Sequence, residues 1–153
     1  MTLVSADQDL EKRLERVAPV LRWAGGKRWL VPKLTELLVS TTVARYHEPF
    51  LGGAAVLLGL PIPSAAFLSD YNAELISVYR TVGSAARDVQ ALYASWGNDS
   101  ETYYELRGLT EGDELHRAAR FIYLNHHSFN GIYRVNLRGE YNVPFGARAA
   151  PNM

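Results

Sequence analysis

Residues 46–82 read YHEPFLGGAAVLLGLPIPSAAFLSDYNAELISVYRTV, and this stretch decides the fold. Residues 46–50, closed by Gly52 and Gly53, predict the end of a buried strand, and residues 54–60 predict a helix that stops at the prolines after it. A second strand is predicted at 65–68, and a second helix with one apolar face at 72–82. Strands and helices alternating in this order are typical of an open α/β sheet that binds nucleotides.

The turn after the first strand is a candidate ligand site. Gly52 and Gly53 allow a ligand close to the backbone, and open α/β sheets bind ligands where a strand passes into a helix. A tight turn of small residues that only serves helix packing is the alternative. Asp70 follows the second strand, 18 residues after Gly52. An acid at about 20 residues from such a turn holds ribose hydroxyls in nucleotide-binding sheets, although Asp70 could instead cap the helix at 72–82.

A second glycine segment precedes this stretch. Residues 22–27 read RWAGGK, where backbone N–H groups can face an anion, Lys27 adds a positive charge and Trp23 adds a stacking surface. The spacing of a phosphate-binding P-loop is absent, and an ordinary turn with a surface lysine is the alternative. Apolar spacing predicts a helix at 29–39, and residues 1–18 form a polar lead that is either helical or a frayed tail.

The chain changes character after Gly83. Three helices with short polar breaks are predicted at 85–96, 100–106 and 114–125. Residues 126–146 are rich in Asn, Gly, Tyr and Arg, which predicts loops with short strands. Two substructures therefore meet near Gly83.

Composition limits the classes of protein that fit. The chain has 153 residues, 48% hydrophobic and 21% charged, which fits one globular domain and excludes a disordered chain. No apolar run is long enough to cross a bilayer, and residues 1–18 lack a signal-peptide core. There is no cysteine, which excludes disulfides, thiolate zinc sites and cysteine nucleophiles and fits the reducing cytoplasm.

The net charge of +0 hides an asymmetry along the chain. Residues 1–114 carry 11 basic and 15 acidic side chains, or −4, whereas residues 115–153 carry 5 arginines and one glutamate, or +4. A basic end indicates a polyanion such as nucleic acid, with a solvated arginine surface as the alternative. The arginines, asparagines and aromatics of 125–146 can hold phosphates, read base edges and enter a base stack. His126 and His127 are adjacent and lack a partner at helical spacing, so no metal site is predicted.

Four segments in this order resemble the Dam-type, D12-class adenine-specific DNA methyltransferases. They are LRWAGGK (21–27), HEPFLGGAAV (47–56), FLSDYNAELISVYRTV (67–82) and FIYLNHHSFNGIYRVNLRGEYNVPFG (121–146). The resemblance implies an α/β fold, namely a partial Rossmann-like sheet that binds S-adenosylmethionine, with a helical target-recognition insert that binds double-stranded DNA. It implies a site-specific enzyme that makes N6-methyladenine in a bacterial or phage setting, with a restriction-modification or a regulatory role.

The resemblance also implies roles for individual residues and a division into domains. The expected cofactor contacts are Trp23, Lys27, Pro49, Phe50, Gly52 and Asp70, the last holding the ribose hydroxyls. The expected DNA contacts are Phe129, Asn130, Ile132, Arg134 and Pro144; Phe129 would enter the base stack and Arg134 would read a guanine edge. The implied domains are a polar lead at 1–18, a partial cofactor-binding core at 19–83, a DNA target-recognition segment at 84–146 and a truncated tail at 147–153.

Two positions depart from the family pattern without removing a function. Ala54 stands where many members have a second glycine of the turn, and it adds a methyl group near the expected cofactor. Ala147 replaces an arginine that often follows the Pro-Phe-Gly segment and contacts phosphate, and Arg148 lies one place later.

The catalytic Asp-Pro-Pro-Tyr motif of the family is absent, so no catalytic residue is assigned. In the family that motif accepts the hydrogens of the adenine amine, localises its lone pair and stacks on the flipped base. The sequence therefore predicts a truncated form that is inactive alone. The alternatives are one half of a split enzyme completed by a second chain, a non-catalytic DNA-binding module, or an unrelated small-molecule-binding α/β protein.

Overall fold

The structure, a computed structural model, describes residues 17–38, 43–60 and 65–147. The described part divides into two compact units. The first takes in Gly25–Asp70, and the second takes in Val20–Ala24 and the chain from Tyr71 onward. Two predicted segments lie mainly outside the described residues: the polar lead up to residue 16, and the tail from Arg148 onward. Among the described helices, none combines the length and apolarity that a membrane span requires.

The first unit contains one helix and two short parallel strands. Helix α1 spans Val31–Leu38, inside the predicted 29–39, with Pro32 in its first turn as expected. Strand β1 is Tyr46–Glu48 and strand β2 is Ala66–Leu68, so both strands lie where they were predicted. The expectation that the first strand is buried is wrong, because its residues are half-buried or exposed. Their register pairs His47 with Phe67, and the two rings stack at a centroid distance of 4.7 Å.

The helix predicted at 54–60 is wrong. A single 3-10 turn, Leu57–Gly59, forms in that stretch. Ala54 cannot belong to a right-handed helix because its φ of 54° is left-handed, and Leu60 at the other end is extended at φ −112° and ψ 151°. The expected passage from strand through glycine turn into helix is therefore wrong at its last step.

The second unit is built on three helices. Helix α2 spans Ala73–Ala94, α3 spans Ser100–Gly108 and α4 spans Glu114–His127. Each begins at a side-chain cap: the caps are Asn72, Asp99 and Asp113, each accepting a hydrogen bond from the backbone three residues on. The helices predicted at 72–82 and 85–96 are one element, bent where Ala85 is non-helical at φ −140° and ψ 41°. The boundary expected near Gly83 thus falls inside α2, and the two compact units divide between Asp70 and Tyr71.

Helix α4 is the centre of the second unit. Every residue from Phe121 to His127 is buried, and α4 packs along α2 and against α3. The buried face continues into α3 through Tyr103, which is 0% exposed and whose hydroxyl donates to the Val143 carbonyl at 2.9 Å. The segment after α4 is therefore anchored directly to the helical core.

Residues 128–146 fold back on themselves through two isolated antiparallel bridges. Ser128 bridges to Phe145, and Val135 bridges to Tyr141 in a hairpin. The hairpin tip is closed by Asn136, whose side-chain oxygen accepts from the Arg138 and Glu140 amides at 2.9 and 3.0 Å. Loops with short extended segments, as predicted for 126–146, are confirmed from Ser128 onward, whereas 126 and 127 complete α4.

We predict that stability falls on mild acidification because of His126. Burial lowers the pKa of His126, whose Nε2–H donates to the Val20 carbonyl at 2.6 Å. Since the unfolded histidine titrates near about 6.5, the unfolded state binds a proton below that pH that the folded state does not. The contribution of His126 to the free energy of unfolding is therefore fully present above pH ~6.5. It falls by up to about 1.4 kcal/mol per pH unit as the pH drops towards the pKa of the folded state.

Urea unfolding between neutral pH and pH ~5 measures this effect. His126→Gln has an amide that can still donate to the Val20 carbonyl. It should reduce the change of the free energy of unfolding with pH by the contribution of about one proton. An unchanged slope in that variant would show that His126 is not the group responsible.

Candidate cofactor and DNA sites

The turns that follow β1 and β2 are hydrogen-bonded to each other. We call these two turns, residues 49–52 and 69–70, the double turn. Leu51 N–H donates to the Ser69 carbonyl and Ser69 N–H donates to the Glu48 carbonyl, each at 3.0 Å. The Ser69 hydroxyl donates to the Pro49 carbonyl at 3.2 Å. The first unit therefore brings the turn at 49–52 and the turn at 69–70 together at the edge where open α/β sheets bind ligands.

Asp70 braces the glycine turn. Its Oδ2 accepts from the Gly52 N–H at 2.8 Å, and its side chain is half-buried. The capping alternative for Asp70 is wrong, because Asn72 accepts from the Leu75 N–H at 3.1 Å and caps α2. A carboxylate accepts up to about four hydrogen bonds, so the bond from Gly52 is compatible with further donors such as hydroxyls.

Left-handed backbone shapes the same turn. Gly52 has φ 50° and Ala54 has φ 54°. Only glycine adopts this conformation without cost, and a left-handed alanine costs about 1–2 kcal/mol. Ala54 is also fully buried, so its methyl group is packed in the interior while its backbone is strained. A glycine at position 54 would adopt the same backbone without this cost.

Glu48 is a residue of this site that the sequence prediction did not assign. Its Oε2 accepts from the Tyr46 hydroxyl at 2.9 Å within β1. Burial raises the pKa of Glu48, while hydrogen bonds from Tyr46 and the Leu57 backbone oppose that rise. An acidic residue at the end of a predicted buried strand was the signal that could have marked it.

The other expected cofactor residues lie in different places. Pro49 and Phe50 are exposed, Phe50 at 84%, so the faces of this turn are accessible. Lys27 lies in the same unit with its Nζ on the Gly25 carbonyl at 2.6 Å. Trp23 belongs to the second unit, where its ring packs against Phe121 and Tyr133.

The expected DNA residues are clustered in the loop and hairpin after α4. Phe129 N–H donates to the Pro144 carbonyl at 2.9 Å, which joins two of them directly. Asn130 stands at φ 57° in the turn Phe129–Gly131, and Ile132 N–H donates to the Phe129 carbonyl at 3.4 Å. Phe129 and Ile132 are 53% and 43% exposed, so this turn presents two apolar side chains to solvent.

Arg134 lies on the first strand of the hairpin beside this turn. Its Nε donates to Asn142 Oδ1 at 2.7 Å and its Nη2 to the Asn142 carbonyl at 3.3 Å. The exposed guanidinium is thereby held in one orientation by the facing strand. A planar fork fixed in this way suits recognition of a base edge or a phosphate. The sequence prediction did not assign Asn142.

The two histidines are buried at the end of α4 and hydrogen-bonded within the core. Tyr93 Oη lies 3.3 Å from His126 Nδ1, and His127 Nδ1–H donates to the Tyr123 carbonyl at 2.9 Å. Burial lowers the pKa of both histidines. No cluster of three or more metal-ligating side chains occurs among the residues that the structure describes.

Comparison with known proteins finds one family and several relatives. The sequence model of the D12 class of N6 adenine-specific DNA methyltransferases matches residues 23–153. The chain is 34% identical to the type II methyltransferase M1.LlaDCHI of Lactococcus lactis subsp. cremoris, over 94% of the chain and 53% of that protein. It is 39% identical to a DNA adenine methylase of Serratia marcescens, over 86% of the chain and 50% of that protein. It is 35% identical to the type II methyltransferase M.MjaIII of Methanocaldococcus jannaschii, over 90% of the chain and 55% of that protein. The chain therefore spans about half the length of these relatives.

Proposed function

Because the chain belongs to the D12 class of N6 adenine-specific DNA methyltransferases, we propose that it forms the cofactor-binding and DNA-recognition part of such an enzyme. The substrates would be S-adenosylmethionine and adenine in double-stranded DNA, in the cytoplasm of a bacterium or a phage-infected cell. The observation that carries the proposal is the bond from Gly52 N–H to Asp70, which braces a ligand-accessible turn at the carboxyl ends of two parallel strands.

The cofactor half of the proposal uses the double turn. Asp70 accepts hydrogen bonds from the ribose hydroxyls, Gly52 admits the ligand close to the backbone, and Pro49 and Phe50 line the methionine side. The family resemblance adds two further cofactor contacts, Lys27 by its charge and Trp23 by its indole ring. S-adenosylmethionine, when bound, supplies an activated methyl group. These strands would belong to a larger Rossmann-like sheet, with the partial core at 19–83.

The DNA half of the proposal uses the loop and hairpin within 84–146. Phe129 and Ile132 are exposed apolar groups on a turn fixed by hydrogen bonds, a form suited to entering a base step. Asn130 and Pro144 lie beside Phe129 and supply further contacts to the duplex. Arg134 reads a guanine edge with its oriented guanidinium.

The chain's residues bind and orient in this proposal, and the methyl-accepting chemistry needs further groups. The adenine amine is a poor nucleophile until its hydrogens are accepted by a carboxylate and a carbonyl. The sequence contains no Asp-Pro-Pro-Tyr motif to supply them. We therefore propose that those groups come from a further segment or from a second chain.

Methyl transfer from labelled S-adenosylmethionine to duplex DNA tests this function. The purified chain is assayed alone and with a fragment that carries the Asp-Pro-Pro-Tyr half. We expect transfer only in the second case, and we expect N6-methyladenine as the product. Transfer by the chain alone would refute the need for added groups, and binding of neither substrate under any condition would refute the function.

We predict that Arg134→Ala relaxes sequence preference by about 1–3 kcal/mol, because the substitution removes both guanidinium donors that would read the base edge. Competition between duplexes that differ at one base pair measures the change. Arg138→Ala is the matched control, since Arg138 is an exposed arginine of the same hairpin that pairs with Glu140 at 3.2 Å. A uniform loss of affinity across all sequences in Arg134→Ala would make Arg134 a phosphate contact instead.

A further inference from the structure

Asn125 is a fully buried polar residue that the proposed function leaves without a role. Its side chain is 0% exposed and makes three hydrogen bonds at the end of α4. Its Oδ1 accepts from the Arg22 N–H at 2.8 Å, and its Nδ2 donates to the Arg22 carbonyl at 2.9 Å. The same Nδ2 donates to the Gly131 carbonyl at 3.2 Å. One amide therefore joins the segment Val20–Ala24 to the turn Phe129–Gly131.

The two bonds to Arg22 replace a strand partner. The amide satisfies both the N–H and the carbonyl of one residue, as a neighbouring strand would. Because Trp23 follows Arg22 directly, the position of the indole ring depends on this anchor. Asn125 thus holds a residue of the proposed cofactor site at a fixed place on α4.

Two further contacts connect the same pair of segments. The Arg22 side chain lies against Gly131 so closely that a Cβ at position 131 would overlap it. The Trp23 ring packs on Tyr133 at a centroid distance of 5.1 Å, and Tyr133 stands between Ile132 and Arg134. The segment with a proposed cofactor contact and the loop with the proposed DNA contacts are therefore in direct contact within the second unit.

The identity of the partners shows what the asparagine amide connects, because removing the amide leaves those groups without this hydrogen bond. Here all three partner groups belong to the two segments, and none belongs to α4 itself. A displacement of either segment must therefore strain or break bonds to the other.

We propose that Asn125 is a positioning residue that couples the cofactor segment Val20–Ala24 to the DNA-contacting turn Phe129–Gly131, so that S-adenosylmethionine raises the affinity for duplex DNA. The inference rests on the proposed function for the identity of the two ligands. By reciprocity, DNA raises the affinity for S-adenosylmethionine by the same factor.

The test variant is Asn125→Asp, which is nearly isosteric and keeps the acceptor for the Arg22 N–H. Because a carboxyl carries at most one proton, it loses at least one of the two bonds that Nδ2 donates. Duplex affinity is measured with a pool of randomised centre, with and without S-adenosylmethionine, for the chain with and without the complementing fragment. We expect the ratio of the two affinities to be at least about fivefold in the wild type and close to one in Asn125→Asp. Val89→Ala, a buried truncation in α2, is the control and should keep the wild-type ratio.

A ligand-free measurement follows the positions directly. The Arg22 amide bonds to Asn125 and the Gly131 amide bonds to the Ser128 carbonyl at 3.0 Å. We expect Asn125→Asp to accelerate exchange of the Gly131 amide by about tenfold relative to Val89→Ala. Unchanged exchange at Gly131 would overturn the positional role even if no ligand bound.

The remaining outcomes separate the two proposals. A wild type that binds both ligands without coupling would overturn the role of Asn125 and leave the proposed function intact. A coupling ratio that survives in Asn125→Asp would overturn it likewise. A wild type that binds neither ligand, with Gly131 exchange responding as expected, would refute the proposed function and leave only the positional link.

Discussion

Asp70→Ala is expected to weaken S-adenosylmethionine binding by about 100-fold while changing duplex affinity little. A carboxylate that accepts two ribose hydroxyls contributes charge-assisted bonds of about 1.5–3 kcal/mol each, and 1.4 kcal/mol is a factor of ten. The substitution also removes the acceptor of the Gly52 N–H, which loosens the turn beneath the cofactor. Titration calorimetry with S-adenosylmethionine, on the chain with its complementing fragment, measures the loss.

Asp70→Asn separates the two roles of this side chain. The amide oxygen of the asparagine can still accept from the Gly52 N–H. The conformation of the turn and the melting temperature should therefore return to their wild-type values. The ribose would still lose a charged acceptor, so about tenfold of the affinity loss should remain. Full recovery of affinity in Asp70→Asn, or an equal loss of DNA and cofactor affinity in Asp70→Ala, would reduce Asp70 to a structural brace.

Gly146→Ala is expected to destabilise the chain by about 3 kcal/mol and to weaken duplex binding at least about tenfold. A Cβ at this position would lie 2.6 Å from the Ser128 carbonyl oxygen and 3.0 Å from the Phe129 nitrogen. Both are backbone atoms, so the two segments must separate. That separation breaks the bond from Gly146 N–H to the His127 carbonyl and displaces the bond between Phe129 and Pro144.

Gly83→Ala is the matched control for this substitution. Gly83 lies in α2, and a Cβ there would meet no atom within 4 Å. Replacing a helical glycine by alanine should therefore stabilise the chain by about 0.5–1 kcal/mol, with duplex affinity unchanged. Thermal unfolding and a fluorescence binding assay report both quantities. A Gly146→Ala protein with wild-type stability and affinity would show that the pairing of Ser128 with Phe145 does not position the DNA loop.

The parts of the fold that the sequence predicts correctly are those with local signals. Apolar spacing and polar caps such as Asp99 and Asp113 mark α3 and α4, and their starts agree with the prediction. The meeting of Gly52 and Asp70 also follows, because parallel strands end at the same edge of a sheet. The helix expected at 54–60 fails because alanine gives no sign of left-handed backbone, which tertiary structure imposes at Ala54.

The parts that could not be predicted depend on contacts between distant residues. Asn125 reads as one more polar residue in an Asn-rich segment until Arg22 is seen beside it. Likewise, Trp23 has a stacking surface in the sequence, but only the fold shows that Phe121 and Tyr133 already contact its ring. Asn142 gains its role from the hairpin register that places it opposite Arg134.

The bond between Arg22 and Asn125 has a consequence for the order of folding. The two residues are 103 positions apart, and closing a flexible loop of that length costs about 4 kcal/mol of chain entropy beyond a constant. Helices α2 to α4 are neighbours in sequence, and local contacts form fastest. We therefore expect the helical hairpins to assemble first and Val20–Ala24 to join them last. On the ribosome, Val20–Ala24 is made before the helices and must wait for α4 to emerge before it has a place to dock.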